Sequence, residues 1–128
     1  MVTVQIIGGR SYQMVWFQGM NGQNALQSAY DSSTQGDFTF SLQYYGANLG
    51  YLVDMINEMY DTFISKYEPY FFWDFLVNGK ISSTGIDSTP INDGDTITFQ
   101  FITYNSKTHQ NTTLQTKYKL KKLIMSAN

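Results

Sequence analysis

Residues able to do chemistry are few in this chain, and they are scattered. The one histidine, His109, sits in the polar run 105–113. A catalytic base needs positioned partners, so a solvated side chain is the expectation there. Asn92, Asp93 and Asp95 offer hard oxygens that would suit calcium, but the twelve-residue loop and its terminal glutamate are missing. Asn-Asp-Gly-Asp is better explained as a corner whose side chains bond their own backbone while Gly94 turns the chain. Asp54, Glu58 and Asp61 carry the spacing of one helix face if a helix forms there, and a solvated face accounts for them without acid–base work. Asn111-Thr112-Thr113 fits the N-glycosylation acceptor pattern. No nucleophile elbow and no glycine-rich phosphate cradle occurs. Cysteine is absent, which excludes disulfides and thiolate metal sites. The expectation is a protein that is not an enzyme and has no metal and no resident cofactor.

The remaining chemistry is aromatic. Phe71, Phe72, Trp73, Phe75, Leu76 and Val77 are the ring-bearing and branched types that suit a pleated surface. Trp73, Phe75 and Val77 alternate with Phe72, Asp74 and Leu76, so one set must fill a core while the other lies under a cover or faces a ligand. Asn78-Gly79 provides the two residues tolerant of positive φ that a type I′ hairpin needs. Gly85 and Pro90 interrupt regular structure. After the 92–95 corner, Ile97, Phe99 and Phe101 alternate with Thr98 and Gln100, a strand with one buried face.

An aromatic-Trp strand running into Val77-Asn78-Gly79, then Gly85-Ile86, then Asp93-Gly94-Asp95 and a β-rich strand resembles the transcobalamin-like C-terminal domain family. That family comprises modules of bacterial surface proteins and of the animal cobalamin carriers. The resemblance covers roughly residues 2–103 and implies an α+β, β-grasp-like fold: a mostly antiparallel sheet packed on one helix. It further implies an exported, cell-surface or extracellular setting and a corrinoid, such as cobalamin, or another small planar molecule as ligand. In the carriers the equivalent strand meets the ligand through an aromatic, a Trp and a Leu, positions held here by Phe72, Trp73 and Leu76. The carriers also clamp their ligand with a large helical barrel, which this chain does not contain.

The elements that would position these residues are legible in part. Val2, Val4 and Ile6 alternate with Thr3 and Gln5 as a first strand, Gly8-Gly9 suits a turn, and Tyr12 to Phe17 returns as a second. Ala25, Leu26, Ala29 and Tyr30 recur at helical spacing near residues 22–31, with Asn21 or Asn24 as the cap; Gly22, Leu26 and Ala29 match the helix of the family. Phe38, Phe40 and Leu42 alternate as a third strand. Residues 51–60 fit a helix face through Tyr51, Leu52, Met55, Ile56 and Met59. The family instead has a strand there, loosely matched by Gly50, Tyr51, Val53, Met55 and Ile56, with Glu58 where a glycine is common. We expect the strand.

A chain of 128 residues, 42% hydrophobic and 14% charged, is a single globular unit with room for a real core. Residues 1–104 form the domain and residues 105–128 a basic C-terminal extension. The first part holds all ten carboxylates against Arg10, Lys66 and Lys80, whereas the extension holds five lysines and no acid. An acidic body is the wrong partner for nucleic acid. No apolar run is long enough to span a membrane, and no signal peptide is evident at the start. Residues 114–124 fit an added strand or a short basic helix. We expect the strand, which would allow self-association or docking of a protein partner by strand addition. Function is therefore expected to be non-catalytic binding, with a structural or protein-interaction module assembling through a sheet edge or the extension as the alternative.

Overall fold

The computed structural model describes residues 1–33, 38–44, 46, 47, 50–62, 70–82 and 84–104. The expectations at His109, at the 111–113 acceptor triplet and for an added strand over 114–124 lie outside the described residues. Within them the chain is α+β: two sheets and one helix. The elements are β1 (Val2–Ile6), β2 (Ser11–Met14), α1 (Gly22–Ser32), β3 (Phe40–Tyr44), β4 (Tyr51–Ile56), β5 (Met59–Tyr60), β6 (Tyr70–Val77), β7 (Lys80–Ile81) and β8 (Thr96–Tyr104).

The larger sheet has the order β2-β1-β8-β6-β7, with β1 parallel to β8 and the other pairs antiparallel. Its register follows from the alternation in sequence. Val4 lies beside Ile97 and Ile6 beside Phe99, while Phe75 faces Phe99 and Trp73 faces Phe101. Their apolar side chains therefore share one face, and α1 covers it with Ala25, Leu26 and Ala29, all fully buried. Burying each such large side chain is worth roughly 1.5–3 kcal/mol, so this face supplies most of the cohesion.

Local signals set the helix ends and the turns. Asn21 caps α1: its side chain accepts from the Asn24 N–H at 2.8 Å, and Asn24 Oδ1 accepts from the Asn21 N–H at 2.9 Å. This reciprocal pair satisfies two of the free groups at the helix start. At the other end the Ser33 N–H closes onto Tyr30 O at 3.1 Å. Asn78 and Gly79, at φ 52° and 81°, form the two-residue turn between β6 and β7. Residues 51–60 form strands: β4 and β5 are joined by Asn57 and Glu58, at φ 50° and 65°. Glu58 thus takes a backbone conformation that glycine accepts more easily.

The smaller sheet, β3-β4-β5, is antiparallel and adds Val53, Met55 and Ile56 to the buried set. It joins the edge of the larger sheet after β5, where the Thr62 N–H donates to Phe71 O at 2.7 Å and the Phe71 N–H donates to Thr62 Oγ1 at 2.8 Å. Two strand boundaries move: β3 begins at Phe40, leaving Phe38 buried but outside the strand, and β2 ends early. The second strand was expected to reach Phe17, but β2 ends at Met14 because the chain leaves the sheet and carries Trp16 towards the 86–92 segment.

Candidate functional site

Strand β6 was expected to carry the ligand contacts. The structure places Phe72 and Leu76 on the sheet face away from α1 and Trp73 on the face towards it, because successive side chains alternate. Phe72 is 4% exposed and Trp73 5%, while Leu76 is half-buried. Trp73 is engaged in the fold: its Nε1–H donates to Met59 O at 2.9 Å and its ring lies 5.1 Å from Phe101. It thereby ties the β4–β5 hairpin to the larger sheet. Asp74, between Phe72 and Leu76 in the same row, is 1% exposed.

A more open surface follows β2. After β2 the chain runs through Val15, Trp16 and Phe17, with Val15 75% and Phe17 47% exposed. The β1–β2 register, in which Val2 pairs with Met14, puts the exposed Met1 next to Val15. Beside this apolar lip is a hollow of about 650 Å³. One wall is Trp16, Gln18, Met20 and Asn21; the other is Asp87, Ser88, Pro90, Ile91 and Asn92.

Both walls are held by direct hydrogen bonds. The Trp16 Nε1–H donates to Ile91 O at 2.7 Å, and the Ile91 N–H donates to Met20 O at 2.9 Å. Asn21 Nδ2 donates to Asp87 O at 3.1 Å. Below them the Gly22 N–H donates to Thr89 O and the Gln23 N–H to Ile86 O, each at 3.0 Å. Gly22 is required at this crossing, since a Cβ there would stand 2.6 Å from Phe75 Cζ and 2.9 Å from Ile86 O. On the far side, Asp87 Oδ1 accepts the Tyr51 N–H at 2.9 Å and fills the space above Gly50, whose φ is +68°. Thr89 Oγ1 donates to Gly85 O at 2.9 Å and meets Ser82 Oγ at 3.0 Å, closing the loop that carries the second wall.

The flagged carboxylates have local partners. Asp95 Oδ2 accepts the Asn92 N–H and its Oδ1 accepts from Asn78 Nδ2, each at 2.8 Å, so the 92–95 corner closes on itself and on the β6–β7 turn. Asp93 pairs with the Met1 amino group at 2.6 Å, and that hydrogen bond and charge hold its carboxyl below the usual range. Asp54 accepts from Ser41 Oγ across β3 and β4. Glu58 lies 3.4 Å from the Tyr60 hydroxyl, and its charge pushes that phenol above the ordinary value, with slight desolvation, this hydrogen bond and Asp54 adding to it. Among the described residues no three His, Cys, Asp or Glu side chains are grouped to hold a metal ion, and no helix is long and apolar enough to cross a membrane.

Trp16 is the residue that sequence reasoning misassigned, as a member of a strand. No local pattern marks it, since Phe71-Phe72-Trp73 is an equally apolar run and does form a strand.

Comparison with known proteins bears on the fold. No curated protein matches the chain. Among solved structures it is similar to a protein from Ruminococcus gnavus ATCC 29149 described as a "putative metal binding protein", with a TM-score of 0.52 and 15% identity over 81% of this chain and 95% of that one. At that identity the likeness speaks for the fold alone. A family model, the domain of unknown function DUF4430, matches residues 19–103, from just before α1 to near the end of β8. That match spans more than half of the sequence, both walls of the hollow apart from Trp16 and Gln18, and the whole of β6; the chain belongs to the DUF4430 family.

Proposed function

We propose that this chain is a non-catalytic binding module of an exported or cell-surface protein, and that it holds a small, flat-faced ligand in the hollow beside Trp16. The observation that carries the reading is the set of hydrogen bonds fixing both walls, above all Trp16 Nε1 to Ile91 O. A site that need not be ordered on binding loses less affinity to entropy. Concave sites with an aromatic wall and a few convergent polar groups are where small ligands bind.

Three further features support it. The parallel β1–β8 pair at the centre, the β1–β2 hairpin, and α1 lying across them are what a β-grasp fold would have. The aromatic strand into Val77-Asn78-Gly79, with Gly85-Ile86 and Asp93-Gly94-Asp95 after it, carries the resemblance to the transcobalamin-like family, which makes a corrinoid the first ligand to try and export the setting to expect. On this reading Phe72 and Trp73 act from inside, by stiffening β6, and Leu76 is the member of that trio most open to a ligand.

The test is to follow the two indole N–H signals by NMR, assigned with Trp16→Phe, while adding cyanocobalamin and, separately, neutral oligosaccharides. The Trp16 signal should move with at least one probe and the Trp73 signal should not. Binding that shifts only residues remote from the hollow, or no shift with any probe at millimolar concentration, would refute the placement.

Strand addition is the second reading, favoured by one observation: β2 ends the larger sheet, and no described residue pairs with its outer edge. The β1 ladder uses Tyr12 and Met14, leaving the Gln13 N–H directed outwards. Gln13→Pro should then abolish any concentration-dependent increase in mass without unfolding the domain. Self-association unchanged by that substitution would exclude this edge.

A further inference from the structure

We infer that the ligand class of the hollow is a neutral sugar ring, stacked on Trp16 and held by the side chains of Gln18, Ser88 and Asn92. The inference rests on the hollow being the binding site, as proposed above, and goes on to specify what fills it.

Trp16 sets the first requirement. Its indole N–H is already donated to Ile91 O, so it has no polar group left for a ligand and offers ring surface alone. The C–H face of a pyranose is flat and apolar enough to lie on such a ring, and an aromatic body with its polar handle already satisfied gains from covering that surface.

The polar lining sets the second. Gln18, Ser88 and Asn92 are exposed, and their side chains make no hydrogen bond to another described residue. Two amides and a hydroxyl present donors and acceptors together. Sugar hydroxyls likewise donate and accept, so they can satisfy all three. A flat but wholly apolar ligand would strip water from these groups and give nothing back, at a cost for each of them.

Charge sets the third. Among the described residues no Lys, Arg or His lines the hollow, and Asp87 is the one acidic side chain in its walls. A phosphate or carboxylate ligand would lack a cation and meet a like charge. A cation would find half of Asp87 already used, since Oδ1 takes the Tyr51 N–H. A neutral polyhydroxylated ring conflicts with none of these constraints.

The experiment uses the full chain and four probes: methyl glucosides and neutral gluco-, galacto- and manno-oligosaccharides as the sugar arm, with cyanocobalamin, choline and inorganic phosphate as competitors. The Trp16 indole N–H signal and tryptophan fluorescence are read in each titration. We expect a sugar to shift Trp16 with a millimolar to high-micromolar Kd. Trp16→Ala should weaken that binding at least tenfold. Gln18→Ala and Asn92→Ala, which touch no described hydrogen-bonding partner through their side chains, should each weaken it several-fold while the melting temperature stays at the wild-type value. These two surface variants keep the test valid if Trp16→Ala unfolds. Cyanocobalamin shifting Trp16 while every sugar fails would overturn the sugar assignment and leave the binding reading standing. Tighter binding of choline or phosphate at Trp16 would do the same. Silence of Trp16 towards all four probes would overturn both.

Discussion

Replacing Gly22 by alanine tests the crossing on which both the core and the hollow depend. A Cβ at this position would stand 2.6 Å from Phe75 Cζ, 2.9 Å from Ile86 Cγ1 and 2.9 Å from Ile86 O. None of the three can yield freely. The Phe75 ring is stacked on Phe99, with centroids 5.4 Å apart and planes 15° apart. Ile86 O accepts the Gln23 N–H at 3.0 Å, so withdrawing that backbone would break the bond that seats the first turn of α1. Overpacking of this kind costs about 1–3 kcal/mol, and a backbone atom among the clashes puts the expectation at the upper end, about 2–3 kcal/mol. Alanine's advantage over glycine in helix interiors offsets little at a first helical position. With an unfolding entropy of roughly 2.1 cal/mol/K per residue, a chain of this length should lose about 7–11 °C in melting temperature. Gly9→Ala is the control: its nearest neighbour would be Ile6 Cγ2 at an ordinary 3.4 Å and its φ is not positive, so a change within about 0.5 kcal/mol is expected. Thermal melts by circular dichroism, with urea titrations to check that the slope is unchanged, decide the matter. A Gly22→Ala protein melting with the wild type would refute the packing described for α1 against β6 and the 86–91 segment.

Other expected outcomes follow from single contacts. Trp73→Ala should destabilise by about 3–5 kcal/mol, as large ring deletions do; amide exchange should show β4 and β5 losing protection first, and uniform loss across both sheets would argue against Trp73 as the tie between them. Glu58→Gly should stabilise by up to about 1 kcal/mol, because it relieves a residue held at φ 65°, less whatever the exposed Thr39–Glu58 hydrogen bond contributes; a lower denaturation midpoint would contradict it. Tyr60 should titrate above the ordinary tyrosine value, and Glu58→Gln should bring it down. Because its folded pKa is raised, its contribution to stability is whole below the unfolded value and is lost as pH rises through the folded one; an ultraviolet titration unaffected by Glu58→Gln would remove the cause assigned here.

What the sequence by itself determined is the set of features encoded within a few residues. The 3.6-residue recurrence of Ala25, Leu26 and Ala29 beside two candidate caps, Asn21 and Asn24, specifies α1, because cap and stripe are local, and the structure makes Asn21 the cap. Asn78-Gly79 specifies a tight turn through its own backbone freedom, and the alternation in 96–101 marks which face of β8 is buried. For residues 51–60 the residue pattern alone fitted a helix face, and only the family resemblance favoured the strand that forms, with Glu58 in a position that suits glycine. The tertiary structure alone decided the rest. Alternation shows that Trp73 and Phe72 face opposite ways, but not that both rings are covered, since the atoms that cover a strand come from elsewhere in the chain. Nor could periodicity place Trp16. Its partner, Ile91 O, is 75 residues away, and a backbone carbonyl in a proline-marked link leaves no trace in the amino-acid pattern. The hollow exists because two segments without regular structure are hydrogen-bonded across a gap, and that kind of complementarity is settled only when the sheet and helix have brought them together.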